Sequence, residues 1–514
     1  MKSKIFESIF VSGKVKPVGA IVASILLLWL LSFAGITGCK KDSPLNPQQA
    51  EPSSNSTPSN SIISRSDEGD EGTKTVLGQL RENPFKVEKM TQAHNNLYGS
   101  SLTQMATTHL YVKFLPASPD DISLLEATDL FFFDFPLEYE VVEMGDYYQE
   151  LEEGNYPDLY AVVEIGFLFP EVDYEVIANL YLDKSDPLLI AESFRLTGNL
   201  SELQDHIRLT GLKPEELGGD VQALIPLEPE CPPGCIAVLQ INTTTIPVSF
   251  TWICDCNPPP PPPPPTNACG CPKFPSNRKP AGCVKVEDTE LSTAGIPSTF
   301  EPVRRVKITA WNGWFDLDYA ETDDNGCWRI NDEYSGNAWF WLKFKNNRCK
   351  IRGVGNGVQN AWRWLTTITD YVGKFAGPNF SNIEVNYNMW ANNGSNAHRY
   401  WGAATVNNAL HEFHDFDATD GINPPPNGLD VYVAKNQTQG NAFMAQHLGS
   451  DLAAAAVESG ITGNHPFFAP FATLISITSF TITDIIVSFW PDVTIGIDRQ
   501  DSDWLKHTAY HEFA

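Results

Sequence analysis

Basic residues are scarce in this sequence, and their scarcity excludes two kinds of partner. The 514 residues include 35 Lys and Arg against 63 Asp and Glu, which gives a formal net charge of −28 at pH 7. Nucleic acids and anionic membrane surfaces attract proteins that carry clustered positive charge, so neither is expected as a partner. The excess of acidic residues is instead expected to keep the chain soluble.

Several motifs that carry chemistry are also missing. The sequence contains no glycine-rich phosphate loop, no dinucleotide-binding glycine fingerprint, no nucleophile elbow and no EF-hand calcium loop. Phosphoryl transfer, dinucleotide binding and calcium sensing therefore lack support in the sequence. Aromatic residues, at 11%, are plentiful enough for a chain that folds into packed domains.

The beginning of the chain reads as an export signal. Four lysines among the first 16 residues are followed by Pro17–Gly38, a stretch without any charged residue. A basic start before an apolar stretch is typical of a cleavable targeting segment. The alternative is an N-terminal transmembrane helix, since a stretch of about 20 apolar residues spans a bilayer. Both interpretations place the rest of the chain outside the cytoplasm.

The apolar stretch ends in Ile36-Thr37-Gly38-Cys39, which resembles the lipobox of bacterial lipoproteins. The resemblance implies that residues 1–38 are a signal peptide and that Cys39, once lipidated, begins the mature protein. Several acyl chains on Cys39 would anchor the protein to the membrane stably, at about 0.8 kcal/mol per buried CH₂. Lys40 and Lys41 follow, where an Asp would resemble an inner-membrane retention signal, so an outer-membrane location in the cell envelope is favoured.

A tether is predicted over residues 39–74, because the stretch from residue 42 is rich in Ser, Pro, Asn and Gln and poor in aromatic residues. Such a composition cannot bury enough apolar surface to order itself, so we expect a disordered segment. About 440 residues remain after it, which is enough for two to four domains.

Residues 75–228 predict an α+β domain. His109–Phe114 alternates as a half-buried strand does, and Ser118 is a natural N-cap for a short helix that runs to Leu125. Further strands are predicted at Phe131–Phe135, Tyr139–Val142 and Tyr160–Phe169, and a helix at Val172–Leu180. No group of residues here demands chemistry. A prodomain or inhibitor of a catalytic domain is one hypothesis for its role.

Nine cysteines follow Cys39 in a chain that is expected to reach an oxidising compartment. They are Cys231, Cys235, Cys254, Cys256, Cys269, Cys271, Cys283, Cys327 and Cys349. Disulfides are expected there, and an odd count leaves at least one cysteine unpaired or differently engaged. The sequence does not fix the pairing, although Cys327 with Cys349 is one candidate pair. Zinc binding by the first four is the alternative.

A Cys- and Pro-rich segment, residues 229–268, is predicted to separate two domains. It contains a β-rich run, Ile236–Ile253, and eight consecutive prolines, Pro258–Pro265. Eight prolines in polyproline II form a stiff spacer of roughly 25 Å. Recognition of this run by an aromatic-lined groove is the other interpretation.

Residues 269–355 predict a β-sandwich of short strands. The strands are Val284–Val286, Val303–Ala310, Trp328–Ile330 and Trp339–Phe344. A turn over Thr322–Gly326 separates two of them. The region resembles the carboxypeptidase regulatory-like family in the strand Pro302–Val306, the turn Ala320–Gly326 and the run from Trp328 to Gly336. The resemblance implies an accessory module without catalytic function.

Residues 356–514 predict a further α+β domain. Helices are expected at Val358–Phe375, Ala403–Phe413 and Ala442–Ser459, and strands at Ile383–Tyr387, Leu429–Val433, Ile485–Phe489 and Val493–Ile497. Asp501 and Asp503 are expected to cap a final helix that starts near Trp504.

The chain ends in His511-Glu512-Phe513-Ala514, the first four residues of an H-E-x-x-H motif. In that motif two histidines one helical turn apart hold zinc, and the glutamate acts as general base. With the preceding strand Asp492–Ile497, the segment resembles the active-site helix of zincin metallopeptidases. The resemblance implies that His511 is a zinc ligand and Glu512 the catalytic base, so 356–514 would be a partial zincin-like domain.

The second histidine of the motif would stand at position 515, which the sequence does not include. We therefore expect zinc as a cofactor only if further ligands are supplied, weak zinc binding by the 514 residues, and no efficient hydrolysis of a protein or peptide substrate. His411-Glu412 is a second His-Glu pair, but His414 comes one residue too early for the motif. Whether the chain is an enzyme stays open.

Three alternatives remain at the sequence level. His507 and His511, with Asp503 one turn earlier, could form a different metal site. The final helix could also be a polar element with solvated histidines. The second function hypothesis is a non-catalytic surface lipoprotein whose β-sandwich and N-terminal α+β domain bind a protein or glycan partner.

Overall fold

The structure, a computed structural model, describes most of the chain after residue 72. The described residues are 61–65, 73–151, 155–212, 236–242, 249–255, 270–272, 278–289, 299–334, 336–353, 365–376, 380, 382–389, 395–421, 423–435, 440–442, 491–498 and 500–514. The predicted leader and the polyproline run therefore lie outside them. None of the helices in these ranges is both long enough and apolar enough to cross a membrane.

Helices and strands alternate in the first part of the fold. Its elements are β1 (Ser61–Arg65), β2 (Val76–Leu80), α1 (Val87–Tyr98), β3 (His109–Phe114), α2 (Pro119–Ala127), β4 (Tyr139–Glu143), β5 (Leu159–Glu164), β6 (Tyr174–Leu180), α3 (Pro187–Leu196) and α4 (Leu200–Thr210). β3 lies between β5 and β6 in an antiparallel sheet, and β2 pairs with β4. The predicted mixture of helix and strand is confirmed.

Local sequence signals correctly predicted strand β3 and the start of helix α2. The strand predicted at His109–Phe114 is confirmed with its bounds. Ser118 is the N-cap of α2: its Oγ accepts from Asp121 N at 3.2 Å, and the Asp121 carboxylate accepts from Ser118 N at 3.0 Å. This reciprocal capping box satisfies backbone donors at the helix start. By contrast, the helix predicted at Val172–Leu180 is wrong, because the segment pairs with β3 as strand β6.

An aromatic cluster joins this first part to a β-sheet that follows it in the chain. Phe133 and Phe135 are buried with Trp311, Trp314 and Trp341, and the ring centroids of Phe133 and Trp311 are 4.9 Å apart. The strand predicted over Phe131–Phe135 is reduced to one bridge with β5. Since the phenylalanines pack on the tryptophans, the two parts share one core.

Fourteen strands and two helices are described in the second part of the fold. They are β7 (Ile236–Asn242), β8 (Ser249–Asp255), β9 (Ala281–Asp288), β10 (Thr299–Pro302), β11 (Lys307–Trp311), β12 (Leu317–Glu321), β13 (Cys327–Arg329), β14 (Asn337–Lys343), β15 (Cys349–Gly353), β16 (Thr369–Ala376), β17 (Ile383–Tyr387), α5 (Asn396–Asp420), β18 (Leu429–Ala434), β19 (Gly440–Ala442), β20 (Val493–Gly496) and α6 (Ser502–Phe513).

Most of these strands belong to three sheets. One sheet has the antiparallel order β12-β11-β14-β16. A second has the order β1-β17-β9-β10, with β13 also paired to β9. In the third, β15, β18 and β20 run parallel and β19 adds antiparallel at the edge. β7 and β8 form a separate hairpin.

Strand pairing crosses two boundaries that the sequence predicts. β15 precedes residue 356 but pairs with β18, whereas β16 and β17 follow that residue and pair with β14 and β9. β1 lies within the predicted tether and pairs in parallel with β17, so the tether prediction is wrong for residues 61–65. Ile62 and Ile63 give this segment a β-branched pair that suits a strand.

Two helices predicted after residue 356 are not found among the described residues. The segment predicted as helix over Val358–Phe375 is strand β16 from Thr369 onward, so the prediction is wrong there. Residues 365–368 are not helical either, and Thr367 forms a bridge with Arg352. Residues 358–364, the helix predicted after Ala442 and the strand predicted at Ile485–Phe489 lie outside the described residues. The other predicted strands of this region and the helix at Ala403–Phe413 are confirmed in β17, β18, β20 and α5.

Cysteine pairing differs from the candidate pair. Cys271 and Cys327 form a disulfide with a Cα–Cα distance of 5.7 Å, and Cys283 packs beside them. Cys349 is a buried free thiol in β15, in a different sheet, so the predicted Cys327–Cys349 pair is wrong. Of the remaining cysteines, the side chain of Cys254 and the whole of Cys231, Cys235, Cys256 and Cys269 lie outside the described residues.

Candidate functional site

The final helix, α6, is anchored at its start and along one face. Asp501 is its N-cap, with Oδ1 accepting from Trp504 N at 2.8 Å. Leu505, Ala509 and Phe513, four residues apart, are buried in the main core shared with α5 and the parallel strands. The predicted cap and helix are confirmed. With that face buried, the histidines at 507 and 511 are left exposed to solvent.

Glu512 lies against the edge strand β19. A Cβ atom added to Gly440 would be 2.5 Å from Glu512 Cγ, so only glycine at this position allows the side chain to approach so closely. The Ala442 backbone N–H donates to the Glu512 carboxylate. Burial raises the pKa of Glu512, while His511 and the Ala442 N–H act in the opposite direction. The result is a half-buried carboxylate fixed at the edge of a sheet.

The described residues do not assemble a zinc site around this helix. Across the described part of the chain, the one group of three or more His, Cys, Asp or Glu close enough to share an ion is Asp316, Asp318 and Asp332. Among the described residues, His511 is therefore not part of any group of three side chains that could bind one metal ion. The alternative set of Asp503, His507 and His511 does not converge either.

The second His-Glu pair is part of the packing between α5 and α6. Glu412 accepts from Lys506 Nζ at 3.2 Å and from the Tyr510 hydroxyl, and Lys506 also bridges to Glu301 at 2.8 Å. Burial and the nearby Arg304 lower the pKa of His411 to about 4, so that ring is neutral near pH 7. Glu412 thus helps to hold α6 against α5.

A cavity of about 400 Å³ is a second candidate site, which sequence reasoning missed. It lies between helices α3 and α4 on one side and, on the other, the β11–β12 turn and the segment entering β14. Residues that line it include Arg81, Phe85, Leu182, Lys184, Pro187, Glu202, Asp205, His206, Leu209, Trp314, Asp316, Glu333, Tyr334 and Trp339. Its volume is in the range of small-ligand pockets.

Lys184 forms ion pairs with two members of the acidic triad at the border of the cavity. Its Nζ is 2.7 Å from Asp316 Oδ2 and 2.5 Å from Asp332 Oδ2. The Tyr334 hydroxyl donates to Asp318 at 2.7 Å. Burial and the neighbouring Asp316 raise the pKa of Asp318 to about 6. An ammonium already occupies the position that a cation would take, so the triad is an ion-pair cluster between two parts of the fold.

The sequence carried one weak signal for this cluster. Asp316 and Asp318 are two residues apart at the start of β12, a spacing that puts both side chains on one side of a strand. Lys184 is far away in the sequence, so its contribution depends on the packing of the two parts. In comparisons with known proteins, no family model, no curated protein and no solved structure matches this chain.

Proposed function

We propose that this chain is a lipid-anchored protein of the bacterial cell envelope whose C-terminal part is related to zinc metallopeptidases. Support for this location comes from the basic and apolar leader and from the lipobox-like Ile36–Cys39. The disulfide between Cys271 and Cys327 also fits an oxidising compartment. The contact between Glu512 and β19 is the observation that carries the metallopeptidase relationship. The proposal gives the protein an outer-membrane anchor on Cys39 and a peptide-recognising site at α6.

The arrangement of α6 and its sheet supports a peptide site. Three parallel strands with one antiparallel strand beside them leave β19 at the edge of the sheet within the described residues. An extended peptide adds to such an edge through main-chain hydrogen bonds. Glu512, fixed by the Ala442 N–H, would lie next to that peptide. Burial raises the pKa of Glu512, which makes this carboxylate a stronger proton acceptor than an exposed one.

Zinc does not fit the residues described, because His511 is exposed and no group of three ligand atoms that includes it converges among them. No zinc-dependent step therefore follows from the described residues. In this account His511 and Glu512 occupy the positions of a first ligand and a base without forming a complete metal site.

The experiment adds one histidine after Ala514 in the full chain. On a continued helix this residue would lie one turn after His511, as His507 lies one turn before it, so the helix would present three histidines in place of two and gain a zinc ligand. We expect the extended chain to bind one zinc equivalent at micromolar concentration, measured by competition with a chromogenic chelator. The matched control carries an added alanine and is expected to bind at least about tenfold more weakly.

Two further variants assign the roles of the residues. In the His-extended chain, His511→Ala should abolish the gain in zinc affinity, whereas Glu512→Gln should keep it, because the glutamate is not a ligand. Equal zinc affinity of the two extended chains, or loss of binding in Glu512→Gln with His511 intact, would rule out the assigned arrangement.

A further inference from the structure

A smaller cavity, of about 150 Å³, lies where the two parts of the fold meet. Helix α2 and the phenylalanines that follow it form one wall, and strands β14 and β16 form the other. Apolar side chains make up most of the lining, among them Leu125, Phe131, Phe133, Trp341 and Tyr371. A cavity of about this volume holds one benzene-sized ring. Phe131 and Tyr371 are partly exposed, so a small molecule can enter from solvent.

The aromatic residues of this smaller cavity favour a ligand that is itself aromatic. The ring centroid of Trp341 is 5.2 Å from that of Phe131 and 5.5 Å from that of Tyr371. Aromatic rings attract one another in edge-to-face and offset arrangements, beyond the effect of the area they bury. Trp341 is 7% exposed, whereas Phe131 and Tyr371 keep part of their ring surface uncovered. A ring that enters the cavity therefore finds aromatic surface to pack on.

One cation in the lining has no carboxylate partner. Lys343 pairs with Glu126 at 3.2 Å, whereas Arg399 has no carboxylate within ion-pair distance in the described part of the chain. Arg399 Nη1 donates to the Gly353 carbonyl at 3.4 Å, and its guanidinium carbon lies 5.3 Å from the ring centroid of Tyr400. Nη2 makes no hydrogen bond to a described residue and, unlike Nε, is not fully buried. A ligand can therefore reach this nitrogen.

The position of Arg399 in helix α5 strengthens its preference for an anion. It is the fourth residue of a 25-residue helix, and helical side chains lean toward the N-terminus. The guanidinium therefore lies near the positive end of the helix dipole. Its planar shape matches a carboxylate, which it can bind through two parallel hydrogen bonds. Asp134 and Asp146 also line the cavity, and they would repel a ligand with a second negative charge.

We propose that the smaller cavity binds a small aryl carboxylate. The carboxylate pairs with Arg399, and the ring packs against Phe131 and Tyr371. Gly353, which accepts from Arg399, packs against Ile368, three residues before Tyr371, so the two ends of the site are roughly 10 Å apart. A phenyl ring joined to a carboxylate by two carbons, as in 3-phenylpropionate, suits this distance. The inference does not depend on α6, on zinc or on the membrane anchor.

The test measures binding of 3-phenylpropionate to the full chain by isothermal titration calorimetry. 3-Phenylpropanamide has the same ring without the charge, and hexanoate has the charge without the ring; each is expected to bind at least about tenfold more weakly. Arg399→Gln should weaken 3-phenylpropionate by a similar factor and leave the affinity for the amide unchanged. Arg208→Gln, an exposed arginine outside the lining, is the matched control and should change neither affinity.

A second variant fills the smaller cavity without touching Arg399. Thr369 is a partly exposed residue of the lining at the start of β16, and Thr369→Phe would place a ring of the chain's own in the cavity. This variant should lose binding of 3-phenylpropionate while its thermal unfolding stays cooperative. If it does not fold, the three ligands on the wild-type chain and on Arg399→Gln still decide.

Several results would overturn the proposal. They are equal affinity for the amide or for hexanoate, unchanged binding in either variant when it unfolds cooperatively, and no binding of 3-phenylpropionate at millimolar concentration. Tighter binding of phenyl phosphate or of glucuronate than of 3-phenylpropionate would overturn it as well, because the cavity would then select a dianion or a sugar.

Discussion

Glu126 offers a direct test of how the two parts of the fold are joined. It lies in α2, is buried, and accepts from Lys343 Nζ at 3.2 Å and from Thr367 Oγ1 at 2.8 Å, both in the second part of the fold. Burial opposes its charge, but Lys343 and Thr367 outweigh this effect and lower the pKa of Glu126. The side chain is therefore ionised and fully paired in the folded protein.

Glu126→Gln keeps the shape of the side chain and leaves Lys343 without its counter-charge. Removing one partner of a buried ion pair typically costs about 3–5 kcal/mol, so we expect the free energy of unfolding to fall by about 3 kcal/mol. The assay is chemical denaturation followed by tryptophan fluorescence, since several tryptophans lie in the shared aromatic core. In the double variant with Lys343→Met, part of the loss should be recovered because no unpaired charge remains.

The pH dependence gives an independent check on Glu126. A carboxyl group whose pKa is lowered on folding stabilises the protein above its unfolded pKa of about 4.3, and this stability is lost as the pH falls through the folded value. The wild-type chain should therefore lose more stability between pH 5 and pH 3 than Glu126→Gln does. A loss below about 0.5 kcal/mol at pH 7, or an additive double variant, would refute the proposed role of Glu126 in joining the two parts.

Three other predictions concern separate parts of the chain. Asp318→Asn should raise stability at pH 7.5, because the raised pKa of Asp318, about 6, means that ionisation of this carboxyl destabilises the fold. The wild-type fold should therefore gain stability as the pH falls from 7 to 5. Thermal melts of the wild type at pH 7 and pH 5 measure this gain, and a melting temperature independent of pH would contradict it. Cys39→Ser should abolish incorporation of labelled palmitate and leave residues 1–38 uncleaved; a variant that still incorporates palmitate, or a wild-type protein that keeps its leader, would contradict the lipobox assignment. Cys349 should resist alkylation at pH 8 in the folded protein, since burial raises the pKa of its thiol to about 12, and labelling as fast as in denaturant would exclude the buried position.

Local patterns allowed the prediction of elements whose signals lie within a few residues. Strand β3 and the capped start of α2 follow from alternation and from Ser118 and Asp121 alone. Strand β6 could not be predicted in this way, because Val172–Leu180 has apolar spacing compatible with a helix. Its pairing partners in β3 lie 60 to 71 residues earlier in the chain. Tyr371 and Phe375 in β16 are likewise four residues apart, as on a helix, but the segment pairs with strand β14.

The candidate sites show the same difference between local signals and contacts made by distant segments. His511 and Glu512 could be singled out from the sequence because they form part of a local motif. The contact of Glu512 with Gly440 could not, since β19 follows α5 and β18 in the chain and reaches α6 only through the sheet. The cavity combines α4, the β11–β12 turn and Lys184, so its carboxylates meet through packing that no local pattern encodes.

The most direct test of the central claim is a cross-link between β19 and α6. An ideal Cβ on Gly440 lies 2.5 Å from Glu512 Cγ, close enough that cysteines at both positions can form a disulfide with modest adjustment. Peptide mapping of oxidised Gly440→Cys/Glu512→Cys by mass spectrometry should find this cross-link. The exposed neighbouring position, tested as Gly440→Cys/His511→Cys, should give little or none. Equal cross-linking of both pairs, or of neither, would contradict the account that Glu512 is held at the edge strand.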